Sequence, residues 1–240
     1  MNKPSTDLQA VAEYYNDYSE SYDSERRKGY YSFINDLEFE KIQSLAAGSK
    51  VLEVGCGTGL ILERTDAIGA EVYGVDLSPK MVEICRKKGL NAQEASVTAL
   101  PFEDDSFDLV YSFKVLAHVP DIRKAMSEIA RVTRPGGRMI LEFYNPVSFK
   151  GLTDWLRTLI RGYQPVYIRH DTVREIQKYL PDGISVVSMR GIRIFAFFSG
   201  CYTLPLVSRV FRFLDRLVCD GPLRRFGGYL VVEFVKKGGP

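Results

Sequence analysis

Apolar residues near the start of the chain recur at intervals of three and four. Leu8, Val11, Tyr15, Tyr18 and Tyr22 predict a helix over residues 8–24, and a second helix is expected over 31–46, ending near Gly48. The rhythm then changes. Apolar, β-rich runs at 50–55, 71–76, 108–112 and 137–143 alternate with helical stretches at 60–69, 79–88 and 121–132. Such alternation predicts βαβ units, a parallel sheet and right-handed crossovers that place helices on both faces. Ser78 and Pro79 read as the N-cap and first residue of a helix. RPGG at 134–137 reads as a turn that closes one helix and launches the strand GRMILEF. Beyond Tyr144 the pattern loosens into helices over 149–161 and 171–179 and strands over 184–189 and 229–236. The long stretch 190–227 between those strands is rich in aromatics and arginine, and long insertions on a regular scaffold often carry specificity.

Composition narrows the class without naming an activity. A chain of 240 residues with 45% apolar and 26% charged residues is that of an ordinary globular protein, and a net charge of +2 is too small to imply nucleic acid by itself. The four cysteines, Cys56, Cys85, Cys201 and Cys219, are widely spaced, and with only His118 and His170 beside them there is no metal-ligand cluster to propose. Cys56 reads as a small packed residue. The N-terminal stretch lacks the apolar core of a signal peptide, and no window approaches the roughly 20 apolar residues of a spanning helix, so a reduced, cytoplasmic protein is expected.

The chemistry is concentrated in VLEVGCGTG, residues 51–59. A strand ending in a glycine-rich turn before a helix brings backbone N–H groups to a ligand at the carboxyl edge of a sheet. The dinucleotide pattern would want Gly-x-Gly-x-x-Gly, whereas Gly55, Gly57 and Gly59 alternate and Leu60 stands where the last glycine belongs. Glu53 would repel a pyrophosphate and welcome an ammonium. VYGVDLSPKM then places Asp76 at the end of the next strand, where a carboxylate can accept both hydroxyls of a ribose, with Leu77 and Met81 offering apolar surface to an adenine.

Taken together, VLEVGCGTG, VYGVDLSPKM, ALPFEDDSFDLVYSFKVLAHV (99–119) and RVTRPGGRMILEF (131–143) resemble, in order and spacing, the class I S-adenosylmethionine-dependent methyltransferases of the ubiquinone/menaquinone-biosynthesis type. YYNDYSESYD (14–23) resembles the helix that caps the cofactor in that group. The resemblance implies a Rossmann-like, doubly wound α/β sheet of seven strands, mostly parallel, with the last strand antiparallel. It implies one continuous domain: a helical cap over 1–48, a cofactor-binding core over 49–145, and acceptor-side lid segments with the last two strands over 146–240. S-adenosyl-L-methionine is the cofactor it implies. The Gly55–Gly59 loop would approach the methionine part, with Glu53 acting through the loop or on the ammonium. Asp76 would hold the ribose, Val97 and its neighbours the adenine, and Phe113 would lie beneath the sulfonium. Tyr15 or Tyr22 would cover the cofactor and exclude water. Where the family usually has an acid bonding the adenine amino group, this chain has Ser96, which keeps an acceptor and loses charge assistance.

His118 is the candidate base, with a structural role bonding a nearby carbonyl as the competing account. His170, at a helix start, is expected to face solvent. On 152–161, Leu152, Trp155, Leu156, Leu159 and Ile160 share a face, with Lys150, Arg157 and Arg161 opposite. On 204–218, Val207, Val210, Phe211, Leu214, Leu217 and Val218 oppose Arg209, Arg212 and Arg216. Both are expected to dock their apolar faces on the core and leave the arginines in solvent; an acceptor pocket, or contact with a membrane surface, is the sharper alternative. The function expected is methyl transfer to an O, N or C atom of a small, lipid-like acceptor, with no nucleic-acid partner and the oligomeric state open. A cofactor-binding regulatory or scaffold protein and an NAD(P)-dependent oxidoreductase are the alternatives from other classes.

Overall fold

In the computed structural model of the protein, residues 8–161, 167–195 and 205–238 are described, without the side chains of Arg157, Arg161 and Pro205. Cys201 and part of the 190–227 insertion therefore lie outside the described residues. Seven strands form one sheet: β1 (Lys50–Val54), β2 (Glu71–Asp76), β3 (Ala92–Glu94), β4 (Phe107–Ser112), β5 (Thr133–Tyr144), β6 (Ile184–Ile192) and β7 (Tyr229–Lys236). Their order is β3-β2-β1-β4-β5-β7-β6. The first five pair in parallel, and β7 inserts antiparallel between β5 and β6. The fold is the Rossmann-like sheet anticipated from the motifs. The strand order reverses between β1 and β4, so a crevice opens at the carboxyl ends of these strands.

Helices α1 (Leu8–Arg26), α2 (Gly29–Ala46), α3 (Leu62–Asp66), α4 (Pro79–Lys87), α5 (Ile122–Val132), α6 (Phe149–Arg161), α7 (Val173–Lys178) and α8 (Pro205–Val218) complete the chain. Strand alternation sorts the core into two layers. Leu52, Val54, Val110, Met139, Leu141 and Phe143 pack with Ala125, Met126 and Ile129 of α5. Val51, Leu109, Tyr111 and Ile140 pack with Phe33, Ile34, Leu37 and Ile42 of α2. Because both faces are covered, the strands read as continuous apolar runs. At 134–137, RPGG is a bulge within β5: its pairing with β4 jumps from Phe107–Thr133 to Leu109–Arg138.

Helix α6 is turned the opposite way from the amphipathic expectation, whereas α8 meets it in part: Val207, Phe211, Leu214 and Val218 are half-buried, Phe211 against the core, and Arg209 and Arg216 are exposed. Helix α6 buries Lys150 and exposes Leu152, Trp155, Leu156, Leu159 and Ile160. Its polar side is held inward because Lys150 Nζ donates to Asp154 (2.5 Å), Asp154 accepts from His170 Nε2 (3.4 Å), and the ammonium lies 4.2 Å over the Tyr144 ring. His170 is thus half-buried in an ionic cluster instead of facing solvent. Helix α8 buries Ser208 and Asp215 and exposes Leu206, Val210, Phe213 and Leu217. Asp215 accepts the backbone N–H groups of Ile194 and Phe195, Arg212 donates to the Gly29 carbonyl (2.6 Å), and Arg216 meets Glu40 (2.5 Å).

Burial alone would raise the Asp154 carboxyl, but His170 and Lys150 bring it down to about 2. Its stabilising contribution is therefore complete above the ordinary aspartate value of about 3.9 and is lost as pH falls from there towards 2. Asp154→Asn strands the buried Lys150 ammonium and should lower unfolding free energy by about 3 kcal/mol at neutral pH. The difference from wild type should shrink below pH 4 in calorimetric unfolding; a constant difference would show that Asp154 stays uncharged.

Candidate active site

Strand β1 ends at Val54 and the chain turns through Gly55, Gly57 and Gly59, all with positive φ (+76°, +53° and +83°). The turn is sewn to β2. Gly55 and Cys56 donate N–H bonds to the Val75 carbonyl (2.7 and 2.9 Å), and Asp76 accepts from Gly57 N (2.8 Å) through one oxygen and from Ser78 N (2.9 Å) through the other. Two of the glycines answer to packing. A Cβ on Gly55 would lie 2.0 Å from Val115 Cγ2, and one on Gly59 would lie 2.6 Å from Leu90 and 2.8 Å from the Cys85 sulfur. Gly57 alone faces open space, with Tyr22 at 3.9 Å from the same hypothetical atom.

Above this turn lies an open cleft of about 850 Å³, its mouth included. Tyr15, Tyr22, Gly55, Gly57, Asp76, Leu77, Met81, Ser96, Val97, Phe113 and His118 all line it. Glu53 and Gly59 do not. Glu53 alternates with Leu52 and Val54 and so points into the α2 layer, where its carboxyl accepts from Tyr111 Oη (3.1 Å). Burial pushes Glu53 well above the usual carboxylate range, against the hydrogen bond from Tyr111.

Helix α1 roofs the cleft and is pinned at two points. Asp23 accepts from Thr58 Oγ1 and from Lys88 Nζ (2.7 Å), and Asn16 Oδ1 accepts from Ser78 Oγ (2.6 Å) and Lys80 N (3.3 Å). The roof is thereby tied to the glycine turn and to the start of α4, so Tyr15 and Tyr22 are held over the cleft.

His118 closes a 3-10 turn, Leu116–His118, beyond β4. Its Nδ1 lies 2.8 Å from the Tyr167 carbonyl, which can only accept, so Nδ1 carries the proton and Nε2 accepts from Tyr15 Oη at 3.3 Å. Burial lowers the imidazole pKa, with the Tyr167 carbonyl opposing, and the ring is neutral at pH 7. Arg169 clamps the turn: its guanidinium donates to the Val119 (2.7 Å) and Leu116 (3.1 Å) carbonyls while Asp171 pairs with it (2.8 Å). The same ring both bonds a carbonyl, as in the structural account, and offers a lone pair to the cleft.

Sequence reasoning missed Arg26, Lys114 and Tyr144, which also line the cleft. Arg26 falls four residues after Tyr22, one helical turn along the same face, which could have flagged it. Its guanidinium lies 4.2 Å over Tyr31, and its Nε is buried with no hydrogen-bond partner among the described residues. Lys114 follows Phe113 in a left-handed conformation (φ +63°) and reaches Glu38 (2.6 Å) and Asn35 (3.2 Å). Burial would lower the Lys114 ammonium, yet Glu38 and Glu142 raise it above its ordinary value. Burial and the neighbouring Glu38 push Glu142 well up. Tyr144 ends β5, where the carboxyl-edge rule would have placed a ligand contact.

Residues 52–141 match the family described as a methyltransferase domain. This segment is a methyltransferase domain. It contains the glycine turn, Asp76, Ser96, Phe113 and His118, and leaves the roof and the lid helices outside. Among curated relatives, the demethylmenaquinone methyltransferase of Tropheryma whipplei (strain Twist) is 35% identical over 127 residues, which are 49% of this chain and 53% of the relative. The ubiquinone biosynthesis O-methyltransferase of Xanthomonas oryzae pv. oryzae (strain PXO99A) is 38% identical over 122 residues, 47% of this chain and 51% of the relative. The chain thus spans about half the length of the curated relatives it matches. The magnesium protoporphyrin IX methyltransferase of Synechocystis PCC 6803, solved with bound SAH, shares the fold of the methyltransferase domain and its surroundings at TM-score 0.67 and 20% identity, over 96% of this chain and 100% of that one.

The glycines of the methyltransferase domain separate in a mutational test. Gly55→Ala should destabilise by at least about 2 kcal/mol, since left-handed strain adds to the clash with Val115. Gly57→Ala should cost about 1 kcal/mol in strain alone while impairing ligand binding. Thermal unfolding and ligand titration of both variants check this; equal destabilisation would contradict the packing account.

Proposed function

We propose that the chain transfers the methyl group of S-adenosylmethionine to a small, apolar aromatic acceptor, at oxygen or at ring carbon. The observation that carries this reading is the half-buried Asp76 carboxylate in an open cleft, already fixed by two backbone N–H groups and retaining lone pairs for a diol. The residues fit the cofactor. Asp76 takes the ribose hydroxyls, Leu77, Met81, Ala95 and Val97 flank the adenine, and Ser96 offers it a hydroxyl. Arg26, whose Nε finds no partner among the described residues, takes the carboxylate of the methionine moiety. Phe113 and Tyr15 border the sulfonium end.

When bound, the cofactor supplies an electrophilic methyl group, so the protein's task is chiefly alignment and exclusion of water. The α1 roof does the second. For an acceptor hydroxyl, the neutral His118 removes the proton at Nε2, in place of the Tyr15 hydroxyl it now receives, while its Nδ1–H bond to Tyr167 holds the ring. Aromatic walls at Tyr15, Tyr22, Phe113 and Tyr144 suit a flat acceptor. The quinone-pathway names of the two relatives favour the same class, and the apolar lid surface favours a lipid-like one.

Calorimetry with S-adenosylmethionine and S-adenosylhomocysteine tests the reading. Both should bind saturably; Asp76→Ala should weaken each at least tenfold, about 1.4 kcal/mol, and Arg26→Ala should do so comparably. Burial raises the Asp76 pKa against the pull of the Ser78 and Gly57 N–H groups. Affinity should therefore begin to fall, as pH is lowered, above the ordinary aspartate range. His118→Asn should leave cofactor affinity unchanged and reduce turnover. Binding of NADH in preference to both ligands would sink the proposal and favour the oxidoreductase.

A further inference from the structure

The lid presents an apolar surface that nothing among the described residues covers. On α6, Trp155 is 60% exposed, Leu159 68% and Ile160 81%; on α8, Leu206 is 74% exposed, Phe213 66% and Leu217 68%. Single exposed apolar residues are ordinary, but a helix α6 that turns its apolar side outward, beside an α8 that exposes Leu206, Val210, Phe213 and Leu217 together with Arg209 and Arg216, is not. They belong to one edge of the molecule. Asn145, just before α6, donates through Nδ2 to the carbonyls of Arg225 (2.8 Å) and Gly227 (2.9 Å), in and beside the 3-10 turn Pro222–Phe226 that follows α8. That turn itself exposes Leu223 and Phe226 between and beside the exposed Arg224 and Arg225.

Charge is segregated along with exposure. Residues 146–228 contain 13 Lys and Arg against 6 Asp and Glu, a net of +7; with +2 for the whole chain, the remainder carries −5. A two-fold contact between copies would set one basic lid against another and repel. An anionic surface with an apolar interior matches both properties at once: arginines at the level of the headgroups, Trp155, Leu159 and Ile160 at the acyl boundary. We propose that the outward faces of α6 and α8, with the turn Pro222–Phe226, seat this chain on an anionic phospholipid bilayer. No helix among the described residues is long and apolar enough to cross a membrane, so the attachment is peripheral. It would set beside the bilayer the segment that bounds the cleft through Tyr144 and His118, since Lys150 of α6 lies over Tyr144 and Arg169 clamps the His118 turn.

The test needs no engineered probe, because Trp155 is the chain's one tryptophan. With vesicles of phosphatidylglycerol and phosphatidylcholine, its emission should shift to the blue and be quenched by brominated acyl chains. Phosphatidylcholine alone should bind at least tenfold more weakly, as should the mixed vesicles in about 0.5 M salt, where screening reaches only a few ångströms. Leu159→Ser with Ile160→Ser should weaken vesicle binding at least tenfold; an unchanged melting temperature and unchanged S-adenosylhomocysteine affinity show that fold and cleft remain intact. Three results would overturn the proposal: no shift and no co-sedimentation with any vesicle; a concentration-dependent dimer in which Trp155 is already shielded without lipid; or a monomer in which Trp155 is shielded from acrylamide by the chain itself. None of these readouts depends on methyl transfer, so failure here leaves the reading of the cleft standing, and failure there leaves this one.

Discussion

The site depends on one carboxylate. Asp76 accepts the Gly57 N–H with one oxygen and the Ser78 N–H with the other, and so locks the turn after β1 to the end of β2. A buried carboxylate carries a desolvation cost that only donors can offset, and two fixed backbone donors offset part of it. The remainder is left to a ligand, which is why burial still raises the group. The glycine turn, the start of α4 and the α1 roof all converge on this point, because Asn16 of α1 holds the same Ser78 whose N–H binds Asp76.

Around that anchor, the cleft wall carries charges of both signs. The carboxylate lies at the end of β2, while the cations Arg26 and Lys114 line another part of the wall, Lys114 held by Glu38 and Arg26 stacked on Tyr31. A ligand with a diol at one end and a carboxylate at the other matches that polarity. His118 stands between protein and cleft with its tautomer set by a backbone carbonyl, so its reactive nitrogen needs no partner beyond Tyr15. The clamp of Arg169 on this turn comes from a segment outside the methyltransferase domain and ties it to the cleft wall at His118.

Much of the sheet was legible because its strands are covered on both sides and their apolar runs are unbroken; β3, at three residues, is too short to leave a pattern. Asp76, Leu77, Met81, Ser96, Val97 and Phe113 were legible through motif order, and the structure brings them together. The glycines were only half legible: alternate spacing shows that backbone freedom is needed, but not that Val115, Leu90 and Cys85 are what press on Gly55 and Gly59. Glu53 shows the same limit, since a strand position does not say which face meets the ligand until neighbouring strands are placed. Orientation of α6 was not legible at all, and that of α8 only in part. Periodicity reveals two faces of a helix, and partners such as His170 for Asp154 and the Ile194 and Phe195 amides for Asp215 decide which one turns inward.

The central claim is that Asp76 and Arg26 grip opposite ends of one nucleoside-bearing ligand beneath α1. A crystal structure of the chain with S-adenosylhomocysteine addresses it directly. The account predicts both ribose hydroxyls within hydrogen-bonding distance of Asp76 and the amino-acid carboxylate on Arg26, with α1 retaining its Asp23 and Asn16 ties. A ligand bound elsewhere, or one in this cleft that leaves Asp76 with only its backbone donors, would contradict it.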